Sequence, residues 1–198
     1  MNSGAGVSKS LGALLHVGQD EIVAGRAAGE KLSSEGGKDA LCVNQEVGNV
    51  GLDQRCQGFG EGFKGHVTVV PVSLDPAETT AKVRAALQTD PAVDTIIALG
   101  AATAGEPSLA AIKAAGKTGK VRIATFDLSP GFLKAVAAGD AEFCVDQQQY
   151  LQGFLPVVFL AEYAKYGVIP GGSVPSGPNL ITKDKASLAI ALSAEGLR

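Results

Sequence analysis

Five short apolar runs recur along the chain, at residues 40–43, 67–72, 95–99, 121–126 and 142–145. Each is continuous rather than alternating, the pattern of a strand covered on both faces. They return about every 25 residues, the length of one strand–helix step. The intervening segments carry helix signals. Asp20 is placed to cap a helix over 22–33, which Gly36-Gly37 closes, and a second helix over 53–63 ends near Gly65. Pro76 opens 77–87, Pro107 opens 108–115 ahead of Gly116, and Pro130 opens 131–138 ahead of Gly139. The alternation predicts an α/β fold: a doubly wound parallel sheet of about five strands with helices on both faces.

The two ends break this rhythm. Residues 1–18 form no strand–helix unit. Residues 150–167 read as a long helix carrying Leu151, Phe154, Leu155, Val157, Val158, Phe159, Leu160 and Tyr163. Its apolar positions exceed one stripe, so it requires burial on several sides. A Gly/Pro-rich loop at 170–178, a short run at 179–182 and a last helix near 185–194 follow. A five-strand unit is too small to cover all of this, which implies a missing partner surface.

Composition narrows the class. The chain has 198 residues, 45% of them hydrophobic, and a net charge of −3, which excludes disorder. Gly is frequent, at 26 residues, but without the period of collagen. Only 17 Lys and Arg argue against nucleic acid, which requires a concentrated basic face. No apolar run approaches the ~20 residues of a membrane span. Met1-Asn2-Ser3-Gly4 lacks a basic region, and residues 11–15 are too short for the apolar stretch of an export signal. Three cysteines, Cys42, Cys56 and Cys144, fit no zinc spacing. They are either three small buried hydrophobes or a Cys42–Cys56 bridge with one thiol over, which needs an oxidising compartment.

Open parallel sheets bind ligands beyond the carboxyl ends of their strands. After the first strand come Asn44, Gln45 and Glu46, then Arg55 on the next helix. Gly100-Ala101-Ala102-Thr103 follows the third, Asp127 the fourth, and Asp146-Gln147-Gln148-Gln149 the fifth. Carboxylate, guanidinium and amide with small residues between them suit a polyol: an aspartate accepts from two adjacent hydroxyls, arginine donates a rigid fork, and glutamine does both. Phosphate would favour a glycine loop with a cation at a helix start. Each residue also has a plainer role open to it: Asp127 as a helix cap before Pro130, Arg55 in a surface ion pair with Asp53 or Glu61, Gln147 as a satisfied loop amide.

Catalytic constellations are thin. His16 and His66 lie away from the strand ends, and no zinc-protease, Walker, dinucleotide or nucleophile-elbow motif occurs. A phospho-accepting Asp127 would need further acidic groups for Mg²⁺, where the other strand ends offer mainly amides. The chain is therefore expected to be no enzyme and to use no cofactor or metal.

These residues resemble the type I periplasmic sugar-binding proteins, the ribose-binding-like group whose fold is shared with the LacI/GalR repressor cores. His16-Val17-Gly18-Gln19-Asp20-Glu21, with Ala24-Gly25 and Ala28-Gly29, looks like the start of that family's second lobe. Asp53-Gln54-Arg55-Cys56-Gln57-Gly58-Phe59 is similar to its Arg-x-x-Gly-Phe helix. Thr125-Phe126-Asp127 with Pro130 resembles its Gly-Phe-Asp strand end, and Phe143-Cys144-Val145-Asp146-Gln147-Gln148 its last strand with a hinge glutamine. The likeness runs from about Asn2 to Arg198.

The resemblance implies a substrate-binding component of an ABC transporter, closing by hinge bending on a monosaccharide or polyol and delivering it to a permease in the periplasm. Arg55, Asp127 and Gln147 would be ligand contacts. Glu21 falls at a hinge-side contact, and Gly100 where ribose binders carry Asn, so one polar contact is lost there. Gln149 stands where many relatives have Pro. The family has two lobes, and this chain resembles the second. Residues 1–18 would belong to the hinge and first lobe, 19–147 to the ligand-binding lobe, 148–175 to a helix and loop against the absent lobe, and 176–198 to a return segment. The uncovered helix implies a homodimer or a complementing first lobe. The alternative is the effector-binding core of a LacI-type regulator.

Overall fold

A computed structural model describes residues 4–198. Readings that fall on residues 1–3, including the start of the 1–18 segment and the lack of a basic region at Met1-Asn2-Ser3, lie outside the described residues.

The core unit alternates strand and helix, and most helices start on a side-chain cap. Asp20 accepts from the Val23 amide at 3.0 Å and opens α1 (Glu21–Ser34). Strand β2 (Asp39–Asn44) follows the two-residue β1 (Val17–Gly18) in chain order. Asn49 caps α2 (Val50–Gly62), and β3 (His66–Pro71) leads to α3 (Pro76–Thr89), capped by Asp75. Then come β4 (Thr95–Ala98), a π-helical turn (Ala101–Gly105) and α4 (Glu106–Ala114). Beyond β5 (Arg122–Phe126), Ser129 rather than Asp127 caps α5 (Pro130–Ala138), accepting from the Phe132 amide at 3.2 Å. The chain ends with β6 (Phe143–Asp146), α6 (Gln149–Tyr166), β7 (Val174–Pro175), β8 (Asn179–Thr182) and α7 (Lys183–Ala194).

The main sheet has the order β3-β2-β4-β5-β6-β8. The five expected strands are parallel, and β8 adds a sixth, antiparallel to β6. The order reverses between β2 and β4, which sets a switch point at the carboxyl end of the sheet. Alternate residues divide between two cores. Val43, Ile96, Ala98 and Ile123 pack with α3, α4, α5 and α7, while Cys42, Ile97, Leu99, Ala124 and Phe126 pack with α1 and α2. Phe59, Phe126, Phe132 and Phe143 are fully buried, each worth roughly 1.5–3 kcal/mol relative to exposure. Strand β3 departs from the expected two-sided burial: His66, Thr68, Val69 and Pro71 are exposed, because β3 is the sheet's edge.

Helices α1 and α2 approach at backbone distance. A Cβ on Gly58 would stand 2.1 Å from the Ile22 carbonyl oxygen, and one on Gly25 2.3 Å from that of Arg55. Under this helix pair, Cys42 of β2 and Cys56 of α2 form a disulfide with a Cα separation of 5.9 Å. The bridge, not a set of three small hydrophobes, is therefore the role of these two cysteines. Cys144 remains a buried thiol, its pKa pushed up to about 12 by burial and by the Asp146 and Asp127 charges.

A smaller unit stands apart. Strands β1 and β7 pair in parallel as a two-stranded sheet, and α6 packs on β1. Only Gln152 of α6 is buried, while Phe154, Val157, Leu160 and Tyr166 are exposed. No helix among the described residues is long and apolar enough to cross a membrane.

Candidate ligand-binding site

The strand ends converge around Arg55. Its Nε donates to Glu21 Oε2 at 2.8 Å and its Nη2 to Glu21 Oε1 at 3.1 Å, a two-pronged ion pair buried between α1 and α2. Nη1 donates to the Leu99 carbonyl at 3.1 Å, and the guanidinium lies 4.6 Å from the centre of the Phe126 ring. Three of the five N–H groups of Arg55 are thus held by protein, and two remain to donate elsewhere. Glu21 in turn accepts from Gln19 Nε2 at 3.0 Å. Glu21 therefore orients Arg55 rather than offering a free carboxylate. The surface ion pair open to Arg55 is taken by other residues: Glu61 pairs with Arg26, and Asp53 accepts from Asn44.

Asp127 follows β5 in the left-handed backbone region, at φ 65°. Aspartate tolerates this conformation better than most residues, though at some cost in energy, and such positions gather at binding sites. Asp127 Oδ2 lies 3.7 Å from Arg55 Nη1. Oδ1 accepts from Gln147 Nε2 and, at 3.2 Å, from Gln149 Nε2. The side chain keeps 30% of its surface exposed, on the open side of the site. The surrounding protein raises its pKa above the usual aspartate value, chiefly by desolvation, against the opposing pull of Arg55 and the Gln147 hydrogen bond. Behind it, Asp146 is fully buried and likewise shifted upward by desolvation, although it accepts from the Gln148 amide at 2.8 Å and pairs with Arg198 at 3.1 Å.

The groups face a cleft of about 190 Å³ lined by Glu21, Gln45, Glu46, Asn49, Arg55, Leu99, Asp127 and Gln147 among others. Complete small-molecule pockets span roughly 300–1,000 Å³, so this is the size of one wall of a site. Its chemistry is mixed: a carboxylate with accepting capacity, a guanidinium with spare donors, and carboxamides that do both. The Gln147 Oε1 is buried and has no hydrogen-bond partner among the described residues. Such a set matches neighbouring hydroxyl groups. A larger concavity, about 690 Å³, lies at the opposite end of the sheet between α4 and α5, among Lys113, Lys120, Arg122, Asp140 and Glu142. It holds none of the strand-end groups.

Four of the five residues singled out from sequence thus come together: Glu21, Arg55, Asp127 and Gln147. Gly100 does not line the cleft. A Cβ there would stand 2.7 Å from Gln45 Nε2 and 2.7 Å from Thr103 Oγ1, so the residue sits behind the Gln45 side chain. Gln149, one of the polar residues after the fifth strand and standing where many relatives have Pro, touches Asp127 directly.

The site is thus a polar cleft at the switch point of a mainly parallel sheet. A family model described as a periplasmic binding protein domain matches residues 2–167, and the chain belongs to that family. Among solved structures, a carbohydrate transporter from Acidothermus cellulolyticus 11B, in complex with myo-inositol, is similar at TM-score 0.91 and 36% identity, over 100% of this chain and 69% of that one. A periplasmic ribose ABC transporter from Conexibacter woesei DSM 14684 shares the fold at TM-score 0.81 and 22% identity, over 94% of this chain and 65% of that one. A xylose/arabinose-binding protein of Sulfolobus acidocaldarius is 25% identical over 157 residues, 75% of this chain and 39% of that protein. The chain therefore spans about two fifths of the length of the curated relative it matches.

Proposed function

We propose that this chain is the ligand-contacting second lobe of a sugar- or polyol-binding protein that serves an ABC permease in the periplasm. The observation that carries the reading is the arrangement at Asp127. Its carboxylate is shared between Gln147 and the cleft, beside an arginine with two N–H groups to spare. Asp127 accepts from a pair of adjacent ligand hydroxyls, Arg55 donates to ring or hydroxyl oxygens, and the Gln147 carboxamide takes the next position. The relative bound to myo-inositol, at 36% identity, makes a cyclitol the first ligand to try, with pentoses and hexoses beside it.

Residues 19–147 form the binding lobe in this reading. Segments 1–18 and 148–175 belong with a first lobe, residues 176–198 return to the second, and the exposed face of α6 is where that first lobe or a second copy packs. The Cys42–Cys56 disulfide supports export over the LacI-type alternative, since structural disulfides persist in oxidising compartments and cytosolic regulators rarely keep them.

A one-sided site leaves water competing for every hydrogen bond, so the isolated chain binds weakly, in the millimolar range. NMR titration of isotope-labelled protein with inositols, pentoses and hexoses tests this. The expected result is saturable shifts at Arg55, Asp127 and Gln147 for one ligand class. A well-dispersed spectrum that no polyol perturbs there overturns the reading.

A further inference from the structure

The cleft holds one polar side chain that the protein leaves uncommitted. Asn44 donates to Asp53 at 2.9 Å and accepts from the Glu46 amide; Glu46 accepts from Asn49 Nδ2 at 3.1 Å. Asn49 caps α2. Gln147 and Gln149 both donate to Asp127, so Gln147 is held through its amide nitrogen although its Oε1 has no partner among the described residues. The side chain of Gln45, by contrast, forms no hydrogen bond among the described residues, and its Oε1 is buried without a partner. Leaving such an atom unpaired costs about 1–3 kcal/mol, a cost that a ligand hydroxyl removes.

The place of Gln45 is defined by what is missing at Gly100. The backbone of Gly100 is extended, at φ −159°, so glycine is not needed there for its conformation. It is needed for space. A Cβ would meet Gln45 Nε2 at 2.7 Å and Gln45 Cδ at 3.4 Å. A side chain on β4's end and the Gln45 carboxamide therefore exclude each other. Gln45 reaches in from the end of β2 over the end of β4.

We propose that Gln45 is a specificity-determining contact, which reads a hydroxyl of a polyhydroxylated ring on the side away from Asp127, in the space that Gly100 leaves open. This rests on the polyol reading above. Strands β2 and β5 both neighbour β4, so at about 4.8 Å per strand their ends lie about 10 Å apart. A six-membered ring with its hydroxyls fills such a gap. Asp127 then holds one edge of the ring and Gln45 the other. A carboxamide both donates and accepts, so it ranks ligands by whether a hydroxyl stands at that edge and in which orientation, because a missing partner leaves its Oε1 unpaired.

The test is a set of NMR titrations with myo-inositol and with inositol epimers, on the wild-type chain and on Gln45→Ala, Gly100→Ala and the double variant. Thermal melts confirm that each is folded. The neighbours at Gly100 are the ends of two side chains, Gln45 Nε2 and Thr103 Oγ1, each 2.7 Å from such a Cβ, so the added methyl displaces Gln45 and turns the Thr103 hydroxyl rather than moving the backbone. Thr103→Ala, which leaves Gln45 in place, is the control and is expected to bind as the wild-type chain does. Gln45→Ala is expected to weaken binding about five- to tenfold, the worth of one hydrogen bond, and to narrow the preference between epimers. Gly100→Ala is expected to weaken it by a similar factor, and the double variant no further, since both remove the same contact. Gln45→Ala combined with Gly100→Asn, which returns a carboxamide from the neighbouring strand, is expected to recover affinity. Unchanged affinity and epimer preference in Gln45→Ala, while the wild-type chain binds, overturns this inference alone. So do losses that multiply in the double variant. A wild-type chain that binds no polyol overturns the polyol reading, and this inference with it.

Discussion

Arg55 and Glu21, on different helices and 34 residues apart in sequence, meet in a buried two-pronged ion pair at 2.8 and 3.1 Å. The pair exists because glycines at 25 and 58 let α1 and α2 touch backbone to backbone. It presents the outer edge of the guanidinium to the cleft with its direction fixed. Net stabilisation from such a pair is small, because desolvation opposes attraction, but losing one partner is costly. Glu21→Ala leaves the buried Arg55 charge with only the more distant Asp127 carboxylate, 3.7 Å away. It is expected to lose about 3–5 kcal/mol of stability by urea denaturation.

Asp127 exchanges stability for binding. Its pKa lies above the usual aspartate value because burial disfavours the charged form. The stability associated with its protonated form is complete below the ordinary aspartate pKa and is lost as pH rises through the raised one. At neutral pH the charged Asp127 therefore weakens the fold. Asp127→Asn is expected to be at least as stable as wild type at pH 7, with the advantage vanishing in acid. The same change is expected to weaken polyol binding about ten- to a hundredfold, since hydrogen bonds to a charged group are worth about 1.5–3 kcal/mol. Paired denaturation curves from pH 3 to 8 and ligand titrations read the two effects separately. Asp146 shifts in the same direction, so the difference between variant and wild type, not the wild-type profile, isolates Asp127.

The disulfide fastens α2 to β2 one residue from Arg55, across a sequence separation of 14. Closing a loop of this size contributes about 3 kcal/mol in the chain-entropy account. Reduction, or Cys42→Ser with Cys56→Ser, is expected to cost about 2–4 kcal/mol and to lower the melting temperature. It is also expected to weaken ligand binding, because the helix that carries Arg55 loses its tie to the sheet.

Helix α6 exposes 50% of Phe154, 68% of Val157 and 56% of Leu160. Its Phe159, with Leu14, Leu15, Val17 and Ile169 beside the helix, lines an apolar groove of about 240 Å³. A continuous apolar face of this kind draws a partner. Light scattering in the micromolar range is expected to show self-association that Val157→Lys with Leu160→Lys abolishes. A monodisperse monomer of the unaltered chain contradicts this.

Much of the fold was legible because it rests on local signals: apolar runs of strand length, Pro and Asp at helix starts, glycine at helix ends. Strand β8 was not, because four residues after a Gly/Pro-rich loop carry too little pattern to separate a paired strand from a loop. The exposure of β3 was hidden as well. Its Val-rich run looks buried, and only the sheet order reveals an edge. At the site, strand-end position drew attention to Asp127 and Gln147, whereas the partner of Arg55 depends on helix packing that spans 34 residues. Asn44, Gln45 and Glu46 look equivalent in sequence. Their separation into a structural amide, an uncommitted amide and a partner of Asn49 arises from side-chain direction alone.

The central claim is that Asp127, Arg55 and Gln147 together hold neighbouring hydroxyls of one ring. The most direct measurement is a crystal structure of this chain at saturating myo-inositol. The account predicts a ring at the carboxyl ends of β4 and β5, with two adjacent hydroxyls on Asp127 and an oxygen on Arg55. Ligand bound elsewhere, or a strand-end cleft that stays filled by water alone at saturation, contradicts it.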